Sequence, residues 1–172
     1  LGTIAKAAAS AENMVEHWIP KVANLALSTM DKRHRFVVER SNYFASSFLQ
    51  KEGFIRQENF TSMLAIVGLA DAVNHLLRLA GINETFGQSE RGDAIAFAIM
   101  DKLEEINAAH PGVYAERTGG HYLLHAQVGA SLHEEDKNNT PAHRIRVGEE
   151  PALLPHLKQS APFHRYFPSG TG

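Results

Sequence analysis

The chain has 172 residues, 44% hydrophobic and 21% charged, with a formal charge of −2, enough for one domain with a sizeable core and too apolar for wholesale disorder. Its basic residues are scattered (Lys32, Arg33, Arg35 and Arg40, later Arg144 and Arg146), which argues against a nucleic-acid partner, since no stripe tracks a phosphate backbone. The longest apolar stretch, Met63 to Ala70, falls far short of the ~20 residues of a membrane span, and no basic region followed by an apolar core opens the sequence, so the expected setting is cytoplasmic and away from membranes.

In chain order, Ser10 followed by Ala11, Glu12 and Asn13 predicts a helix start, with a capping hydroxyl and an acid in the first turn. Val15, Trp18, Val22, Leu25 and Thr29 then recur every three or four residues and predict one buried stripe. Pro20 lies within that stripe, where it enforces a kink or a second start. The pattern resumes through Met30, Val37, Phe44 and Phe48, with Trp18, Phe44 and Phe48 read as core, so residues 11–51 are expected to be mostly helical before a stop at Gly53. Thr61 to Val67 reads as a strand, and Gly68 turns it into a helix that ends at Gly81. Ile95, Ile99, Leu103 and Ile106 form a second helical face closed by Pro111-Gly112. Tyr122 to Val128 supplies the next strand, residues 137–150 read as loop, and Pro151 to Gln159 as a short helix with Pro151 in its first turn. This order predicts an α/β arrangement with strands joined by helical crossovers.

The densest concentration of chemistry lies beyond the second strand, where Gly129 opens into His133, Glu134, Glu135 and Asp136. Residues just past a strand's carboxyl end face the ligand crevice of an α/β sheet. Adjacent carboxylates on extended chain point to opposite sides, so the knot is either a solvated turn or a site to which one member, His133 or Glu135, contributes. His121 and His125 are spaced as a metal pair could be, yet no Glu follows the first, and hydrogen-bonded structural histidines are the simpler reading. Gly119-Gly120 and Gly170-Thr171-Gly172 lack the Lys-Ser/Thr continuation of a phosphate loop. Arg144, Arg146 and Arg165 can grip an anion, but surface ion pairs explain them more economically. The chain has no cysteine, which removes disulfides, thiolate metal sites and a cysteine nucleophile from these residues.

Four segments carry a family resemblance. Leu1-Gly2-Thr3-Ile4-Ala5, Phe60 through Val73, Tyr122 through Ser131 and Arg165 through Thr171 together resemble the YjjI-like glycine radical proteins, and more distantly anaerobic ribonucleotide reductase and pyruvate formate-lyase. The resemblance implies that the chain is a helix-rich segment of a ten-stranded β/α barrel of glycyl-radical-enzyme type, residues 1–172 forming a single segment of that larger domain. It further implies a glycine radical installed by a radical S-adenosylmethionine activating enzyme, and a buried cysteine that abstracts hydrogen from a small-molecule substrate without oxygen. The first segment resembles the stretch directly after the loop that carries that cysteine, and the last the approach to the radical domain. With no cysteine, and with Arg146-Val147-Gly148-Glu149 only echoing the Arg-Val-x-Gly-aromatic motif, both actors are expected in a longer parent and this segment is expected to be inert alone, binding no cofactor or metal directly.

On that resemblance His125, Gln127, His133 and Glu135 are the expected pocket residues, orienting a substrate hydroxyl or carboxylate, with His133 or Glu135 moving a proton. Half a barrel exposes sheet edge, so pairing with a second copy into a homodimer is also expected. Two alternatives remain: a non-catalytic binding or scaffold module sharing the fold, and a metal-dependent hydrolase using His121, His125 and His133 with Glu134.

Overall fold

A computed structural model describes residues 1–126 and 151–168. It opens with a helix the pattern did not signal, α1 (Gly2–Ala7), too short to show a period. Ser10 is the expected cap: its Oγ accepts from Asn13 N at 3.0 Å. The long helix then runs from Ala11 to Arg40 as α2 (Ala11–Asn13), a π turn (Met14–Trp18), α3 (Ile19–Arg35) and a second π turn (Phe36–Arg40).

The first π turn accounts for both the fate of Pro20 and a correction to the expected stripe. Ile19 N donates to Met14 O across the wide turn, so α3 restarts with Pro20 in its first turn, where its missing N–H leaves no gap in the ladder. The chain takes the second-start option without breaking. Because the wide turn holds an additional residue, the inward face leaves it later than a 3.6-residue period sets it. Ile19, Ala23 and Leu27 are buried, whereas Trp18 and Val22 are half-buried and Leu25 and Thr29 are exposed.

The helix also ends sooner than expected. Ser41 adopts extended backbone, its Oγ donating to Val37 O at 2.6 Å and accepting from Tyr43 N at 3.2 Å. Such a side chain competes with the helical ladder, and the chain continues as two single turns, α4 (Tyr43–Ser46) and α5 (Phe48–Lys51). Phe44 is buried, but Phe48 is exposed and does not join the core.

Two strands, β1 (Met63–Ile66) and β2 (Leu123–Ala126), pair in parallel, with Met63 opposite Leu123 and Ile66 opposite Ala126. Both fall inside the expected spans. Between them run α6 (Leu69–Leu79), buried on most sides, and α7 (Glu90–Ala109), started by a Ser89 Oγ that accepts from Gly92 N at 3.0 Å. The core gathers α1, α3, α6, α7 and one face of the sheet. Helix α8 (Leu153–Ser160) starts two residues after Pro151, with Pro155 inside its first turn instead, another position whose N–H would have no helical partner. A final 3₁₀ stretch (Ala161–Tyr166) buries Phe163 against Phe97, the rings stacked 4.5 Å apart. The architecture is mixed, helices around a small parallel sheet.

Candidate functional site

Side chains alternate along a strand, so the register assigns each residue a face. Leu64, Ile66, Leu124 and Ala126 enter the core with Leu69, Val73, Ile99 and Leu103. Met63, Ala65, Leu123 and His125 share the opposite face, where Met63 and Ala65 are exposed and Leu123 and His125 half-buried. His125 sits in register beside Ala65, on the side turned away from the helices and near the strands' carboxyl ends. Of the four expected pocket residues the structure therefore places His125; Gln127, His133 and Glu135 lie outside the described residues, as do Glu134, Asp136, Arg144 and Arg146.

The carboxyl end of β1 is also where the chain enters. The Leu1 nitrogen donates to Val67 O at 2.8 Å. Gly68 takes a left-handed conformation (φ 72°), which favours glycine, and turns the chain from β1 into α6 beside Gly2 of α1. Along the outer edge of β1 runs an apolar groove of about 220 Å³, lined by Ile4, Ile19, Val22, Ala26, Leu64 and Val67 among others.

The opposite, amino end holds a cluster that the sequence did not signal. Tyr122 OH donates to Asp31 Oδ1 at 2.6 Å and accepts from Val113 N at 3.1 Å. His110 Nε2 reaches both Asp31 oxygens at 3.1 Å, and His34 Nδ1 lies 3.2 Å from Ser62 Oγ. Burial alone would raise the Asp31 carboxyl, but hydrogen bonds from Tyr122 and His110 and the charges of His110 and Arg35 outweigh it and hold the group below its ordinary value. Burial, then the Asp31 hydrogen bond, push the Tyr122 phenol up. Burial lowers His34 against the pull of Asp31 and Glu116. These contacts join α3, the loop after α7 and the start of each strand. Apart from His34 Nε2, which is buried without a hydrogen-bond partner, the polar side chains of the cluster bond to groups within it, so the cluster is a clasp. The signal that would have found it is a histidine seven residues after Leu27, on the same buried stripe.

The metal reading finds no support in what is placed. His121 sits at the bend before β2, its carbonyl accepting from Thr118 Oγ1 at 2.6 Å, and extended backbone, at ~3.3 Å per residue, carries His125 away from it. Among the described residues no three His, Cys, Asp or Glu side chains stand together as a metal site. Gly119 and Gly120, both at positive φ, shape a turn in which Gly120 N donates to Ala115 O at 2.9 Å. Arg165 pairs with Asp101 at 2.6 Å, the ion pair expected of it. No helix among the described residues is long and apolar enough to cross a membrane.

The chain is 74% identical over 172 residues to an uncharacterized protein of Haemophilus influenzae, covering all of this chain and 34% of that protein. It is 34% identical over 170 residues to the uncharacterized protein YjjI of Escherichia coli K12, covering 99% of this chain and 32% of YjjI. It thus spans about a third of the curated relatives it matches. No solved structure matches it. The family model for YjjI-like glycyl radical enzymes matches residues 1–172; the resemblance carried by the four segments holds over the whole length, and the chain belongs to the YjjI-like glycyl radical enzyme family.

Proposed function

We propose that residues 1–172 form part of the wall of a closed β/α barrel of ten-stranded type, in an enzyme that carries out an oxygen-sensitive radical reaction on a small molecule. The observation that carries this reading is the sheet's two unlike faces. One is buried under helices; the other presents Ala65 and His125 side by side, close to where Leu1 enters beside Val67. A carbon radical requires a dry enclosure that excludes side reactions, and a parallel sheet covered on one face supplies a curved wall whose inner face can become that enclosure once further strands close it.

On this reading the hydrogen-abstracting cysteine and the glycine radical belong to stretches of the polypeptide outside these residues. The radical is supplied by a radical S-adenosylmethionine activating partner, and the intact protein is a cytoplasmic homodimer working without oxygen. His125 orients a substrate hydroxyl or carboxylate from the inner face. Gln127, His133 and Glu135, which follow in the sequence, complete the pocket on this reading, with His133 or Glu135 moving a proton.

The test is electron paramagnetic resonance on the intact polypeptide after anaerobic activation, expected to show a glycine-centred doublet. Its absence under activation that works for a related enzyme would remove the radical reading and leave a non-catalytic scaffold. Given the doublet, His125→Ala is expected to lower substrate turnover at least tenfold with the doublet intact; unchanged turnover in a variant lacking all four polar side chains would remove the pocket assignment.

A further inference from the structure

Helix α3 turns Ile19, Ala23, Leu27 and His34 inward, where Leu27 packs with Tyr122 and Leu64 of the two strand segments. At 3.6 residues per turn its opposite side carries Lys21, Leu25, Thr29 and Lys32, and the line continues into the second π turn with Phe36 and Arg40. All six are exposed, Leu25 at 67% and Phe36 at 60%. Leu25 and Phe36 are 11 residues apart, as are Lys21 and Lys32, which is three turns and about 16 Å along the axis. Apolar and cationic side chains therefore share one straight outward line. That line has no anion of its own. Of the acids nearby on the same long helix, Glu16 pairs with Lys102, Asp31 accepts from Tyr122, and Glu39 bonds Arg35 and Tyr114. Among the described residues no carboxylate pairs with Lys32, Arg33 or Arg40.

We infer that this outward face of α3 docks an acidic amphipathic helix of another protein, with carboxylates opposite Lys21, Lys32 and Arg40 and apolar side chains three turns apart against Leu25 and Phe36. Charge decides the occupant. Two copies of the chain laid face to face, in either direction, would set cation against cation with no carboxylate between them, which opposes association. A membrane surface calls for a continuous apolar strip with cations along its margin, whereas here Thr29 and Lys32 interrupt the line between Leu25 and Phe36. A nucleic-acid backbone would engage the cations and leave both apolar side chains unused. An acidic helix satisfies both kinds of group at the same spacing. Exposed ion pairs contribute little each, so Leu25 and Phe36 supply contact while the cations set orientation and speed encounter. The face lies across α3 from the sheet, and the inference rests on neither the barrel nor the radical reaction.

The probe is a fluorescein-labelled synthetic helix bearing two leucines three turns apart, each with a glutamate one turn before and after it, titrated with the intact polypeptide and read by fluorescence anisotropy. Saturable binding is expected, weakened by added salt and by at least tenfold in Lys32→Glu and in Phe36→Ser, while Arg78→Glu, an exposed charge change on α6, leaves it unaltered. All three substitutions are at exposed positions. No saturable binding, equal binding of a peptide with glutamine for every glutamate, or an equal loss in Arg78→Glu would overturn the proposal. Sedimentation of the polypeptide with vesicles of equal parts phosphatidylcholine and phosphatidylserine, abolished by Lys32→Glu, would assign the face to a membrane instead. In the polypeptide alone, N-hydroxysuccinimide acetate is expected to acetylate Lys32 as fast as the exposed Lys51; a protected Lys32 would mean that the face is already covered and would also overturn the proposal.

Discussion

At its amino end the β1–β2 pair is tied to α3 and to the loop after α7 by Asp31, His34, Ser62, His110 and Tyr122. At its carboxyl end it meets the Gly2–Gly68 contact and a half-buried His125 facing away from the helices. At the first end Asp31, His110 and Tyr122 bond one another and His34 Nδ1 meets Ser62, while His34 Nε2 is buried without a hydrogen-bond partner, so these groups mainly hold geometry. At the second end Gly2 and Gly68 stand close together, and the half-buried His125 shares the face of Ala65. A site held to sub-ångström tolerance needs rigid support that is not itself part of the chemistry, and on the proposed function this sheet would separate the two along one strand length.

The sharpest way to break that comparison is to remove the centre of the clasp. Tyr122 is fully buried against Leu27 and Ala115, and Tyr122→Ala is expected to cost about 3–5 kcal/mol, measured by denaturant unfolding of the intact polypeptide. Tyr122→Phe keeps the ring but strips Asp31 of a donor, for roughly 1–3 kcal/mol. If both variants keep their stability and lose turnover instead, the amino end is chemical and the comparison fails. The next effect is at the other end: Gly68→Ala forces a side chain into a left-handed position, for about 1–2 kcal/mol, and shifts Leu1 relative to Val67. Turnover is expected to fall more than stability there, read as kcal/mol from kcat/KM against kcal/mol from unfolding.

How much of this was legible depended on range. Ser10, Gly68 and Gly81 act locally, and the helix start or stop each signals lies where the pattern puts it. The register of α3 was not legible, because a π turn is a response to Pro20 that no 3.6-residue period contains. The break at Ser41 depends on a hydroxyl choosing backbone over solvent. The clasp joins residues up to 91 apart in sequence, so a local window could display only His34 on the buried stripe of α3 and not the partners it gathers with. His125 was readable as a strand-end residue, but the face it shares with Ala65 comes from the pairing register.

A pH series sharpens the comparison further. His34 is 2% exposed, and its folded pKa lies below the ordinary 6.5 because burial disfavours the charged form. The unfolded chain therefore takes up the proton first as pH falls, and stability is expected to drop from about pH 6.5 downward until the folded state titrates in turn. Asp31, lowered in the folded state, adds its own loss only as pH falls below its ordinary 3.8. His34→Gln, which cannot titrate, is expected to flatten the profile between pH 6.5 and 5. A profile unchanged by that substitution would assign the slope elsewhere.

The smallest effect belongs to Arg165, which distinguishes the two ends by what it should not do. Its guanidinium bonds Asp101 and lies 4.6 Å from the centre of the Tyr166 ring, but both partners of the ion pair keep more than half of their side chains in water (57% and 54%). Exposed pairs contribute about 0–1 kcal/mol, because water screens the charges and two long side chains must be held still. Arg165→Ala is therefore expected to cost under about 1 kcal/mol and, since the residue sits by the amino end of β2, to leave turnover alone. A tenfold rise in KM at unchanged stability would return Arg165 to the anion-gripping role that its charge allows, and would move part of the substrate site to the end of the sheet assigned here to support.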